Sequence, residues 1–369
     1  MPKVKMTSLL RSLTDRFTPN ASSADLTTKP RPDGFHTAKA APVLFTPTRP
    51  EVDGDDCLHD CATCTIKYPR KFAIEEEDKL YGEIKGFSRH LLVATGKTDW
   101  VRDVEDEKAS VMQAVGKHRD EIEGGKLMLS ATNIPTPDHD GEEEGPYGLD
   151  RPTRVLLLPS FQYIDGVTPN RVPDFIKHLV NITSTNTQPL KSETTLSTNG
   201  ETTNGHSTPN REPSDSEPST EPLSPTTLPP GLSLVNCPHK YLILLCSQAT
   251  RDARCGQSAP LLRKELERHL RPRGLYRDLH DERPGGVGIY FISHVGGHKY
   301  SANMMVYRRA DPLGKDAASK EAMQCIWLAR VKPEDCENIV RYTVLEGKVV
   351  KPESQLRGGF DRAKGLVSW

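Results

Sequence analysis

KYLILLCSQATRDARCGQSAPLLRKELERHL, residues 240–270, decides how this chain of 369 residues folds. It opens on a continuous apolar run closed by Cys246, and a short apolar run bounded by polar turn residues is the mark of a strand buried on both faces. A loop then passes Cys255 and leads into a helix. Ser258 suits its cap and Pro260 its first turn, Leu262, Leu266 and Leu270 recur at four-residue spacing, and Gly274 stops it. Downstream, GVGIYFIS is a second buried strand that delivers His294 at its end. SANMMVY is a third strand, IWLARV (residues 326–331) a fourth, and residues 333–342 a closing helix. This mixed order predicts an α/β fold, a thioredoxin-like sandwich, over residues 233–347, with 348–369 as a C-terminal extension.

Upstream lies a stretch of Thr, Ser, Pro, Asn and Glu without an aromatic residue, residues 181–232. It cannot bury enough apolar area to offset its ordering entropy and reads as a disordered linker. Before it, residues 51–180 form a second, N-terminal α/β domain. HLLVATG (90–96) and TRVLLLPSF (153–161) are its buried strands, 101–115 carries a helical pattern, 124–152 reads as a long loop, and 173–180 as a final short helix. The two domains could share an architecture too diverged to see by eye. Residues 1–50 are Ser/Thr-rich and basic, with Leu9, Leu10, Leu13 and Phe17 at helical spacing. They read as a mitochondrial targeting segment or as a disordered tail, and Asp15 counts against import.

The balance of 49 basic and 50 acidic residues gives no reason to expect nucleic acid or an anionic membrane surface as partner. Eight cysteines, with no apolar run near membrane-spanning length, point to a soluble intracellular protein in a reducing compartment, mitochondrial or cytoplasmic. Clustered cysteines there serve as ligands or redox groups more often than as disulfides.

Cys246 and Cys255, followed by His294 and His298 in HVGGH, make a four-donor set of mixed softness, suited to zinc or to an iron–sulfur cluster held by two thiolates and two imidazoles. All four fall at strand ends or in adjoining loops, where a rigid sheet holds them within reach of solvent. Gly296 and Gly297 let the ligand loop turn sharply. Arg251, Asp252 and Arg254 read as solvated loop charges.

These residues resemble the sucrase/ferredoxin-like family of thioredoxin-like ferredoxins, in its fungal branch of altered inheritance of mitochondria and actin patches distal proteins. LLCSQATRDARCG looks like the first ligand segment of that family and HVGGHKYSAN like its second. The resemblance implies a 2Fe-2S cluster on Cys246, Cys255, His294 and His298, and a redox carrier rather than an autonomous enzyme, with an unidentified redox partner protein. Nothing supports the sucrase label, since no carboxylate pair stands out as acid and nucleophile. The alternatives are a zinc-stabilised interaction domain and a thiol-disulfide oxidoreductase, although eight residues between Cys246 and Cys255 are unlike a tight Cys-x-x-Cys.

Two further features stand apart. CLHDCATC places Cys57, Cys61 and Cys64 together, a zinc or auxiliary site with His59 as fourth ligand or simply reduced thiols; a radical-SAM reading lacks both the aromatic usual at Thr63 and the long alternating barrel. The ending Leu366-Val367-Ser368-Trp369 is similar to the terminal aromatic tripeptide by which clients engage the iron–sulfur assembly machinery, with Val367 off-pattern; the alternative is a Trp369 packed on its own domain. Cys237, Cys325 and Cys336 read as buried free thiols.

Overall fold

A computed structural model describes residues 31–136, 148–190, 228–309 and 320–369. In chain order its strands are β1 (His36–Thr37), β2 (Arg89–Ala94), β3 (Leu127–Thr132), β4 (Thr153–Leu158), β5 (Gln162–Val167), β6 (Ser233–Asn236), β7 (Tyr241–Cys246), β8 (Tyr276–Arg277), β9 (Val287–Ile292), β10 (Met304–Arg309), β11 (Ala322–Leu328), β12 (Leu356–Asp361) and β13 (Leu366–Val367). They form one mixed sheet in the order β1-β13-β12-β11-β10-β7-β9-β3-β2-β4-β5-β6, with β8 beside β9. The fold is α/β, with few helices.

One pattern occurs twice. In the first half β2 runs parallel to β3 and antiparallel to β4, which pairs antiparallel with β5. In the second half β7 runs parallel to β9 and antiparallel to β10, which pairs antiparallel with β11. The halves meet edge to edge through the antiparallel pair Thr132 and Ile292. Their inner faces also pack together. Along β7, Leu242 and Leu244 join a core with Leu92, Leu156 and Leu158 of the first half, while Ile243 and Leu245 face the helix Ala253–Leu270. Period-two alternation therefore sends one strand into two cores.

Several sequence expectations need correction. The helix begins at Ala253, capped by the Asp252 carboxylate, which accepts from the Arg254 N–H; Ser258 lies inside it and Cys255 in its first turn. The expected loop 124–152 contains β3, central to the sheet. The helix expected over 101–115 is confined to Val111–Lys117, capped by Ser110. Residues 181–190 fold into the first half, where the Arg89 guanidinium donates to the carbonyls of Asn181 and Thr183. Likewise, β6 pairs with β5 rather than opening the second unit. The tail 348–369 is no appendage, because β12 extends the sheet from β11 and β13 bridges β12 and β1. Residues 31–50 are ordered by the same pairing, with Phe35, Leu44 and Phe45 buried. The targeting reading of residues 1–30 and the linker over 191–227 fall outside the described residues.

The contact between halves carries a titratable group. His90 on β2 is fully enclosed, with Nδ1 3.0 Å from the Tyr307 hydroxyl of β10 and Nε2 2.9 Å from the Ser130 hydroxyl of β3. Burial pulls its pKa down to about 3, so the folded protein keeps it neutral while the unfolded chain protonates it near pH 6.5. Its contribution is intact above the unfolded value and lost as pH falls from there toward the folded one. From about pH 7 to about pH 5 this single group lowers stability by roughly 2 kcal/mol. Urea unfolding at the two pH values checks it: His90→Gln, which retains donors and acceptors but does not titrate, should flatten that difference. An unchanged difference would refute the assignment.

Candidate metal centre

Cys246 ends β7, and its neighbour in the sheet, β9, ends two residues before His294. Because β7 and β9 are parallel with Cys246 opposite Ile292, both deliver their following loops to the same sheet end. Cys255 enters from the first turn of Ala253–Leu270, whose N-terminal dipole favours a thiolate. Donor atoms of Cys246, Cys255 and His294 lie within 4.8 Å of one another, with Cys246 Sγ 3.8 Å from His294 Nδ1. The His298 ring stands outside that group, 5.4 Å from the His294 ring between centroids. Burial is graded: the cysteines are buried, His294 is half-buried and His298 exposed.

The two thiols share a proton unequally. Cys255 is drawn down to about 5, chiefly by the hydrogen bond from the Cys246 thiol and further by His294 and Ser301. Cys246 is pushed up by the same contact and by burial. Cys255 is thus a thiolate at neutral pH, and a metal entering here displaces the proton of Cys246. Arg357, buried beside them and lowered only to about 10 by desolvation, keeps its positive charge near the sulfurs.

The loop between the histidines is held by groups that spacing in the sequence did not reveal. Arg357 Nη1 donates to the Gly296 carbonyl (3.0 Å) and to Asn303 Oδ1 (2.8 Å), and the Asn303 amide donates to the Gly297 carbonyl (3.2 Å). Gly296 and Gly297 have φ of +86° and +66°, and a Cβ on Gly297 would meet the Arg357 guanidinium at 2.4 Å. Glycine is required there for conformation and for room. On the other side, the His294 N–H donates to Gln248 Oε1 (2.8 Å), and the Gln248 amide donates to the Val101 carbonyl (2.5 Å). The Ser247 hydroxyl donates to the Thr98 carbonyl (2.7 Å). The first half therefore covers the ligand loops.

Beside His294 opens a cleft of about 760 Å³, walled by residues 294–297 of one half and by Lys85, Phe87 and Lys126 of the other, with Trp327 and Arg357 also lining it. Phe87 stacks on the terminal Trp369 at 5.2 Å, and the Trp369 carbonyl accepts from Arg31 and Thr37. Of the N-terminal trio, Cys57, Cys61 and Cys64 are buried, while His59, their expected fourth ligand, is exposed. Arg254 is paired with Asp252 rather than free in solvent. Cys237, Cys325 and Cys336 are buried free thiols. Among the described residues no helix is long and apolar enough to cross a membrane.

The donor set fits a soft or borderline metal centre: two sulfurs, one already ionised, with imidazoles adjoining. The chain is 27% identical over 311 residues to Actin patches distal protein 1 of Saccharomyces cerevisiae, covering 80% of this chain and 82% of that protein. It is 36% identical over 113 residues to Altered inheritance of mitochondria protein 32 of Clavispora lusitaniae, and 36% over 112 residues to the protein of that name from Debaryomyces hansenii. Those two alignments cover 33% and 34% of the relatives, so the chain matches about a third of each. No solved structure matches. The sucrase/ferredoxin-like family model matches residues 80–358, a span that includes strands of both halves of the sheet and all four candidate ligands, and the chain belongs to that family.

Proposed function

We propose that this protein is an electron carrier in which Cys246, Cys255, His294 and His298 hold a 2Fe-2S cluster. The observation that carries it is the graded donor set: an inner pair of buried cysteines behind an outer pair of histidines, one half-buried and one exposed. A binuclear centre spreads its four ligands over two metals, which suits a His298 outside the tight group. When bound, such a cluster accepts and releases single electrons, and with two imidazoles in place of two thiolates it is less negative and more readily reduced, at roughly −150 to +300 mV against about −400 mV for four-cysteine ferredoxins. Cys246, Cys255 and Arg357 are buried, so the inner side of the site is removed from bulk solvent. The exposed His298 gives a partner access and offers a nitrogen through which proton uptake can accompany electron uptake.

Each half is read as a thioredoxin-like unit, on the strength of the repeated four-strand pattern. The electron partner is a protein whose docking face is acidic, because the cleft beside His294 is lined by Lys85, Lys126 and Arg357 against Glu83, while Arg119 and Lys299, also in its wall, are paired with Glu105 and Asp78. The names of the relatives favour a mitochondrial site of action, with the cytoplasm as alternative. Recruitment of iron–sulfur assembly machinery by Trp369 requires that the indole first leave Phe87.

A zinc-stabilised domain is the second reading, favoured by one observation. Donors at about 2.3 Å and about 2.05 Å from a tetrahedral zinc stand about 3.6 Å apart, close to the 3.8 Å between Cys246 Sγ and His294 Nδ1. Iron and acid-labile sulfide analysis of anaerobically purified protein separates the two. Equal iron and sulfide with a visible spectrum is expected, and colourless protein with zinc retained by Cys246 would overturn the electron-carrier reading.

A further inference from the structure

A second donor cluster lies at the opposite end of the helix Ala253–Leu270. His269, in its last turn, sits fourteen residues beyond Cys255, about 21 Å away along the axis. Donor atoms of Cys61, His269 and Glu337 lie within 4.8 Å of one another, with Cys61 Sγ 3.9 Å from His269 Nε2. That separation is near the roughly 3.6 Å between a thiolate and an imidazole on one tetrahedral zinc. Cys64 follows on the same tight turn, its N–H donating to the Cys61 carbonyl (3.2 Å); its thiol, now 3.6 Å from the Ile66 carbonyl and outside the tight group, would join the set by turning toward Cys61. Both thiols are 8% exposed and His269 is 6% exposed, so the donors face inward.

The loop that carries the thiols is fixed to the protein before any ion is considered. The Asn338 amide, one residue after Glu337, donates to the carbonyls of Asp56, Cys57 and His59, and the Cys61 N–H donates to the Glu334 carbonyl (2.9 Å). His59 is turned out to solvent, which removes the ligand suggested by proximity in the sequence. In its place the fold supplies an imidazole from more than two hundred residues away.

We propose that Cys61, Cys64, His269 and Glu337 form a structural zinc site. Two thiolates and a carboxylate carry three negative charges, and a divalent ion leaves one. Arg268 offsets part of it: Nη2 lies 3.3 Å from Cys61 Sγ and 3.0 Å from His269 Nε2 while pairing with the buried Glu265, so its charge is shared between that carboxylate and the site, and the 42% exposed side chain would turn off the His269 nitrogen when an ion binds. Two sulfurs, one nitrogen and one oxygen suit zinc in a closed tetrahedral site and leave no open position for catalysis. The ion would pin the 54–64 segment to the C-terminal end of the helix and to the segment 333–344, independently of what the first site holds.

Metal analysis of full-length protein tests this. Wild type should carry one zinc per chain beyond whatever the first site binds; C61S/C64S should lose it and keep its visible spectrum, and C246S should keep it. If C61S/C64S is insoluble, an organomercurial added to wild type should release one equivalent of zinc to a colorimetric chelator, and no release overturns the proposal. Zinc retained in C61S/C64S, zinc lost in C246S, or a Cys61–Cys64 disulfide in metal-free wild type would each also overturn it, the last in favour of a redox pair.

Discussion

Serine at position 255 is expected to leave a folded chain that purifies with at least roughly tenfold less iron than wild type, since losing a ligand costs no less than losing a residue that supports one. Cys255 is fully buried in the first helical turn, and its pKa is drawn down chiefly by Cys246, with His294 and Ser301 adding. A serine hydroxyl has nearly the same volume, but it does not ionise near neutral pH, so metal affinity falls while packing is little changed. Far-ultraviolet circular dichroism should therefore match wild type while colour and iron are lost. Serine at Cys246 should do the same. Alanine at the exposed His298 should lose less than alanine at His294, because only His294 belongs to the tight donor group. Full iron content in the Cys255 variant would remove it from the ligand set.

Arg357→Met should lower both stability and iron retention. The wild-type guanidinium satisfies the Gly296 carbonyl, Asn303 Oδ1 and the Glu83 carbonyl (2.8 Å), and it lies 4.7 Å over the Trp327 ring. Methionine fills much of the volume but leaves these acceptors without a donor. With a cost of about 1–3 kcal/mol per unsatisfied buried group, and partial access of water to the site, a loss of roughly 2–4 kcal/mol is expected. The loop that carries both histidines then loosens, and iron retention should fall by about ten- to a hundredfold, as for other groups that orient metal ligands. Arg357→Lys separates the causes, since it keeps the charge without the fork. If charge near the sulfurs is what matters, Lys restores iron; if the hydrogen bonds matter, it does not. Denaturant midpoints and iron content equal to wild type in Arg357→Met would contradict the role.

The second half of the chain was legible because its signals are local. An uninterrupted apolar run makes β7, the four-residue leucine spacing makes the helix, and histidines four apart follow the end of β9. The parts that were missed depend on distant partners. β3 reads LMLSAT, with Ser130 and Thr132 breaking its apolar pattern; register pairs Ser130 with Leu92, and only the folded sheet brings its hydroxyl to His90, two residues earlier on β2. β12 reads LRGGFD, and paired glycines argue against a strand. A Cβ on Gly359 would meet the Cys325 carbonyl oxygen at 1.8 Å, so backbone contact in the sheet is what requires glycine. Arg357, Gln248 and His269 carry no mark in the linear sequence, since the groups they serve lie dozens to hundreds of residues away.

Pulsed electron paramagnetic resonance of the reduced protein, grown with isotopically labelled histidine, tests the central claim most directly. Two histidine nitrogens should couple strongly to the unpaired electron, and one coupling should vanish in each of the His294 and His298 variants. A reduced cluster without histidine coupling, or a spin-silent protein holding zinc at Cys246 and Cys255, would contradict the account.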